Sequence, residues 1–168
     1  MRKSWSIPLA VLIAGLASSI AVGATGGDVV SPASIRLTTT GQAALDKGQP
    51  SAAIDAFETA LAVDPKNAHA FIGIAHAYEA QGLPGRAIKY YREALVLEPN
   101  DLAALEGQGK AMVARGATER AKANLTRIKT LCANDCAAAK RLEIAIATPV
   151  PPAKTASTEV PKPVTVKN

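Results

Sequence analysis

The sequence predicts an all-α protein, a short α-solenoid of three helix-turn-helix repeats closed by a C-terminal capping helix. Its first sign is a near-copy: RAIKYYREALVLEP, Arg86 to Pro99, restates AAIDAFETALAVDP, Ala52 to Pro65, at an offset of 34 residues. A second is punctuation, since Gly48, Gly82 and Gly116 recur at that same interval. The third is composition. Hydrophobic residues make up 48% of the 168-residue chain but aromatic residues only 4%; alanine fills much of the difference, which suits close-packed helices better than a β-sandwich.

Along the chain, the N-terminus comes first. Residues 1–24, MRKSWSIPLAVLIAGLASSIAVGA, combine a basic start (Arg2, Lys3), an apolar run from about Ile7 to Val22, and small residues at Gly23 and Ala24. That pattern reads as a secretory signal peptide, with cleavage at Ala24 or Ala21. Retention as a membrane anchor is the alternative. No cysteine lies near this segment, so a lipid anchor is not expected, and the processed chain is expected in the periplasm or outside the cell with no integral membrane segment. Residues 25–33 then form a linker, and the array is expected over 34–147.

In the first unit Ala53, Ile54, Ala60, Leu61 and Pro65 pair with Ala87, Ile88, Ala94, Leu95 and Pro99 of the second, and Phe57 pairs with Tyr91. A third copy is weaker but in phase, with Ala121, Leu125 and Ile128 where Ala87, Tyr91 and Ala94 predict. Within each unit the apolar residues follow a helical period: Ala87, Tyr91, Ala94 and Leu95 fall on one face, with Lys89, Arg92 and Glu93 off it. The glycines mark the turn between the two helices of a unit, where positive φ is easiest for them. Two residues on, Pro50 and Pro84 suit a first helical position, and Thr118 in the third unit is expected to cap the same end with its hydroxyl. Pro65 and Pro99 end their units. Thr38, Thr39 and Thr40 are poor helix formers in a row, so the first helix is expected to fray.

Beyond the third unit, Cys132 and Cys136 flank a short turn in which Asn134 and Asp135 are natural helix starters. They are the only cysteines, and in an exported chain they predict a disulfide, with a redox-active pair or a metal site as alternatives. No CxxCH haem motif is present, and no metal or cofactor is expected. Residues Ala137 to Thr148, AAAKRLEIAIAT, regain a helical pattern and supply the cap. The remaining tail, 148–168, holds five prolines among Ala, Val, Thr and Lys, and reads as a disordered, extended segment.

The pattern of these units resembles the tetratricopeptide repeat family, whose 34-residue helix-turn-helix units carry W-x2-L-G-x2-Y, A-x3-F, A and P. The middle unit matches at Phe71, Ile74, Ala75, Tyr78, Gly82, Ala87, Tyr91, Ala94 and Pro99. The first keeps Leu37, Gly41, Gly48, Ala53, Phe57, Ala60 and Pro65, and departs at Thr40 and Ala44. The third keeps Leu105, Gly109, Gly116, Ala121, Leu125 and Ile128, and loses the closing proline. The resemblance covers roughly residues 34 to 131 and implies packing far more than activity, because the repeated residues are packing residues.

His69 and His76, the only two histidines, share a helical stripe with Ile72 and Glu79. In the family that side lines a concave groove, so the resemblance implies that His69, Ile72, His76 and Glu79, with Glu106 and Lys110 of the next unit, face a ligand; a solvated helix face is the competing reading. The histidines lie two turns, about 10 Å, apart, too far to chelate one ion. Some family members grip a chaperone's C-terminal carboxylate through lysine and asparagine on the first helices. The corresponding residues here are Thr38 and Gln42, so that activity is not implied.

The net charge of +5 becomes +3 once Arg2 and Lys3 are removed, too mild for a nucleic-acid partner. Its distribution says more. Asp28 to Gly109 carries six basic and ten acidic residues, and Lys110 to Arg141 eight basic and two acidic. With no nucleophile, base and orienting acid, no phosphate-cradling loop and no paired carboxylates, an enzyme is not expected. The function expected is a non-catalytic periplasmic scaffold or adaptor that holds a peptide or helix of another envelope protein. The alternatives are a self-assembling homo-oligomer, acidic front to basic rear, and an accessory subunit of an envelope enzyme complex.

Overall fold

Helix boundaries return every 34 residues in the computed structural model, which describes residues 29–132 and 136–148. Over these residues the chain forms seven α-helices and no strand: α1 (Pro32–Asp46), α2 (Pro50–Val63), α3 (Ala68–Ala80), α4 (Pro84–Leu97), α5 (Leu102–Ala114), α6 (Thr118–Leu131) and α7 (Ala137–Ala147). The starts of α2, α4 and α6 share one repeat position, as do the ends of α1, α3 and α5. The expected signal segment, residues 25–28 of the linker, residues 133–135 with Asn134 and Asp135, and the proline-rich tail from 149 on lie outside the described residues. Among the described residues no helix is long and apolar enough to cross a membrane.

The turn inside each unit is made the same way three times. Gly48, Gly82 and Gly116 adopt φ of 69°, 71° and 75°, the left-handed region that a side chain disfavours. This lets the residue after the glycine reach back: Gln49 N–H donates to the Ala44 carbonyl at 2.9 Å, Leu83 to Tyr78 at 2.8 Å and Ala117 to Met112 at 2.8 Å. The helix therefore ends with its last carbonyls satisfied. Pro50 and Pro84 stand at the first helical position, where a missing N–H costs nothing. Thr118 does not act as the expected cap. It is itself the first residue of α6, Ala117 is the cap residue, and no side chain caps that end.

Between units the joint is also repeated. Asn67 caps α3 by accepting from Ala70 N–H at 3.2 Å, and Asp101, one repeat later, caps α5 by accepting from Ala104 N–H at 2.6 Å. Asn67 does more. Its amide donates to Ser34 Oγ at 2.7 Å and Thr38 Oγ1 at 2.9 Å, while Ser34 donates to the Ala60 carbonyl at 2.8 Å. One buried polar knot thus fastens α1 to α2 and α3.

The three threonines expected to fray α1 lie within a continuous helix that begins two residues before the expected boundary. Their hydroxyls donate to the carbonyls of Ser34, Ile35 and Arg36, four residues back, at 3.0 to 3.1 Å, and Thr38 is held from outside by Asn67. Tertiary contact overrides the weak propensity of the run. The helix entrance is tied down too, because Asp64 Oδ2 accepts from Ser31 N–H at 2.7 Å. Two backbone donors, Ser31 and Lys66, hold the Asp64 carboxyl below its ordinary value.

The helices form two rows, α1, α3, α5 and α7 in one and α2, α4 and α6 in the other, each odd helix touching the next. Ala53, Ala87 and Ala121 are fully buried at equivalent positions, small enough for rows to approach. Phe57 and Tyr91 plug the space between units. They can do so because their neighbours are glycine: a Cβ on Gly73 would stand 2.3 Å from the Phe57 ring. In the third unit the plug shifts. Leu125, expected to match Tyr91, is only partly buried, while Ile128 is fully buried with Leu105, Ala138, Ala139 and Leu142. The last unit thus turns its large side chain toward α7, which covers it as the expected cap.

Candidate functional site: a trough between α1 and α3

Equivalent faces of α1 and α3 bound a trough of about 420 Å³. Its walls come in pairs one repeat apart: Ile35 with His69, Thr38 with Ile72, Thr39 with Gly73, and Gln42 with His76. Phe57 and Asn67 complete the lining from below. Gly73 leaves room for the buried Phe57 ring to pack beneath the trough between the two walls. The resulting floor is apolar, with hydroxyl, amide and imidazole groups along the edges. Among the described residues, no lysine or arginine lines it.

At the end nearer the turns, His76 is fixed by a neighbour from the other row. Tyr91 Oη donates to Glu79 Oε2 at 2.8 Å and lies 3.0 Å from His76 Nδ1, which is 3.2 Å from the same carboxylate oxygen. The single hydroxyl proton is donated to Glu79, and the Nδ1 edge of His76 is turned toward Tyr91 and Glu79, its role as donor or acceptor set by its tautomer. Burial, with the charge of Glu79 and the hydrogen bond to it, pushes the Tyr91 phenol far up. It stays a neutral donor at every working pH. The His76 and Tyr91 rings meet edge to face, 5.6 Å between centroids.

Glu106 and Lys110 belong to a different cluster. Glu106 is 6% exposed and sits against α7, where Arg141 grips it with Nε to Oε1 at 2.7 Å and Nη2 to Oε2 at 2.6 Å. Lys110 Nζ adds a third bond at 2.5 Å. Burial pushes the Glu106 carboxyl up, but Arg141 and Lys110 outweigh it and hold the group below its ordinary value. His69, Ile72 and His76 thus line the trough and Glu79 touches it through His76, while Glu106 and Lys110 are not in the lining and Glu106 bonds to Arg141 and Lys110, its charge still reaching Tyr91. The repeat position of Glu106 matches that of Ile72, yet its carboxylate pairs with the cap.

The sequence reading missed the α1 wall, Ile35, Thr38, Thr39 and Gln42, as well as Tyr91 and Arg141 as fixing groups. The α1 wall had a signal: subtracting 34 from His69, Ile72, Gly73 and His76 names all four. Arg141 had none, because it lies outside the repeats. The Cα atoms of Cys132 and Cys136 lie 5.7 Å apart, within the span a disulfide bridges. Among the described residues, no group of three or more His, Cys, Asp or Glu is placed to hold a metal.

Comparison with solved structures gives the same architecture. The tetratricopeptide repeat domain of Sgt2 from Aspergillus fumigatus is 26% identical and aligns over 81% of this chain and 96% of its own, with a TM-score of 0.63. The second such domain of human RPAP3, solved with an HSP70 peptide, is 23% identical over 68% of this chain and 95% of its own, TM-score 0.62. The type III secretion chaperone SycD of Yersinia enterocolitica, solved with a peptide of the translocator YopD, is 19% identical over 70% of this chain and 88% of its own, TM-score 0.61. No curated protein matches the chain in sequence. A family model described as tetratricopeptide repeat matches residues 38–101 and 72–127, together more than half of the chain. By the spacing of its helices, its three glycine turns and that match, the chain belongs to the tetratricopeptide repeat family.

Proposed function

We propose that the protein is a non-catalytic scaffold that holds a segment of another protein in the trough between α1 and α3, and that it works in the bacterial periplasm. The trough carries this reading. It offers an apolar floor at Ile72 and Phe57, hydrogen-bonding edges at Thr38, Thr39 and Gln42, and two imidazoles, a mixture suited to an extended peptide with alternating apolar and polar side chains. RPAP3 and SycD, of the same fold, were each solved with a peptide of another protein, which supports a protein rather than a small molecule as the occupant. The periplasmic setting rests on residues 1–24, whose basic start, apolar run and small closing residues read as an export signal.

In that oxidising setting Cys132 and Cys136 form a disulfide that ties α7 to the end of α6. Alkylation with and without reductant, read by mass spectrometry, reports whether the thiols are free. Capture is tested with a photo-crosslinking residue at position 69, inside the trough, and at Val96, 71% exposed on α4. Position 69 should trap a partner in intact cells, and an added Thr39→Trp substitution should abolish the product by filling the trough from an exposed position. Equal trapping at both positions would move the binding surface elsewhere.

A further inference from the structure

The segment that follows α7 has the composition and reach to enter the trough itself. Residues 160–167 read VPKPVTVK: valines at Val160, Val164 and Val166, lysines at Lys162 and Lys167, and prolines that favour an extended chain. The trough is complementary. Among the described residues its lining contains no lysine or arginine, and carboxylates flank the end nearer the turns, with Glu79 beside His76 and Asp46 accepting from Gln42 at 2.9 Å. An acidic peptide would meet these carboxylates without any cation in the lining to answer it.

The geometry of the cap sets direction and distance. Arg141 meets Glu106 and Leu142 packs where a Cβ on Gly109 would fall, so α7 runs parallel to α5 and therefore to α3 and α1. The chain leaves Ala147 at the end of the row where Gln42 and His76 lie. From α7 to the α1 and α3 pair is two to three helix spacings, roughly 16–30 Å at about 8–10 Å each. Residues 149–159 span up to about 34 Å at about 3.1 Å per residue in an extended, proline-rich conformation. The reach suffices with little excess.

Resting on the reading of the trough as a peptide site, we infer that residues 160–167 of this chain are an intramolecular occupant of the trough, which an outside partner must displace. Lys162 lies by Glu79, and Val164 and Val166 lie along Ile72 and Ile35. The four residues from Lys162 to Val166 cover about 12 Å extended, and the ten from Glu79 back to His69 cover about 15 Å of helix, so the spacings agree. Occupancy in cis makes partner capture depend on the tail. It also favours partners of the same apolar and lysine-bearing kind.

The full-length processed chain carrying a photo-crosslinking residue at Thr165 tests this, with cross-linked peptides mapped by mass spectrometry. The expected result is an intramolecular product joining position 165 to α1 or α3 near Ile35, Thr39 or His69, lost in the Val164→Asp, Val166→Asp double variant. In cells the same double variant should raise, several-fold, the capture of a partner by the crosslinker at position 69. Products between an isotope-labelled and an unlabelled copy would place the segment in a second molecule and overturn the intramolecular assignment. So would crosslinks confined to α5, α6 or α7. Unchanged capture at position 69 with the variant would remove the tail from the trough while leaving the peptide site standing, whereas no capture in either form would overturn the site itself.

Discussion

Tyr91 joins the packing of the stack to the chemistry of the trough. Its ring fills the space between the second and third units, and its hydroxyl emerges between His76 and Glu79. In the first unit the equivalent Phe57 packs alike but has no hydroxyl, and Gln42 and Leu45 stand where His76 and Glu79 do, so only the second unit has a fixed imidazole. Tyr91→Phe should keep the fold, since the ring remains, and lower stability by about 1 kcal/mol through loss of the bond to Glu79. Urea unfolding measures that cost, and nuclear magnetic resonance of the His76 ring should show it released from its single orientation. A second residue-scale outcome concerns the turns. Gly82 has a φ of 71° and open space around its Cα, so Gly82→Ala meets strain but no clash and should destabilise by about 1–2 kcal/mol. A larger loss would mean that the turn also serves as a contact.

At the scale of the helix, α7 is held by Leu142 against Gly109, by the Lys129 and Glu143 pair, and by the grip of Arg141 on Glu106. The Glu106 carboxyl lies below its ordinary value in the folded chain, so its contribution is fully present above the ordinary carboxylate range. It is lost as pH falls through the lowered value and Glu106 takes a proton. Amide protection over residues 137–147 should therefore fall in acid before protection over α2 to α4 does, and Glu106→Gln should reproduce that at neutral pH. A uniform fall in protection across the chain would show that the cap is not separately anchored. This helix also shows what the sequence could and could not reveal. Its existence was legible from the period of AAAKRLEIAIAT and the glycine turns from their 34-residue interval, because both are local. The role of Glu106 was not, because its partner Arg141 lies 35 residues away and outside the repeat. Thr118 misled for a related reason: an N-cap and an N1 residue are adjacent in sequence and differ only in backbone angle. The threonines of α1 misled because Asn67, from another unit, supplies what their propensity lacks.

Across the whole molecule, charge is divided along the sequence, with six basic and ten acidic residues from Asp28 to Gly109 and eight basic and two acidic from Lys110 to Arg141. Two molecules could meet front to rear, a contact that salt would screen. As a lone scaffold the processed chain should sediment as a monomer at both low and high salt; an oligomer at low salt that dissociates at high salt would favour the self-assembling alternative. Export can be read from the same sample. Trp5 is the sole tryptophan, so a protein processed at Ala21 or Ala24 should emit only tyrosine fluorescence, and indole emission would show that the leader is retained.

The recurrence of helix ends at one fixed interval has a consequence for how such a chain can change. Inserting a second copy of residues 66–99 would preserve every turn and every joint, because Asn67 and Asp101 play the same part at successive seams. Evolution or a designer could thus lengthen the protein in whole modules, each adding one more wall beside the trough. A deletion or insertion of any other length would break the phase and cost the cap its seat.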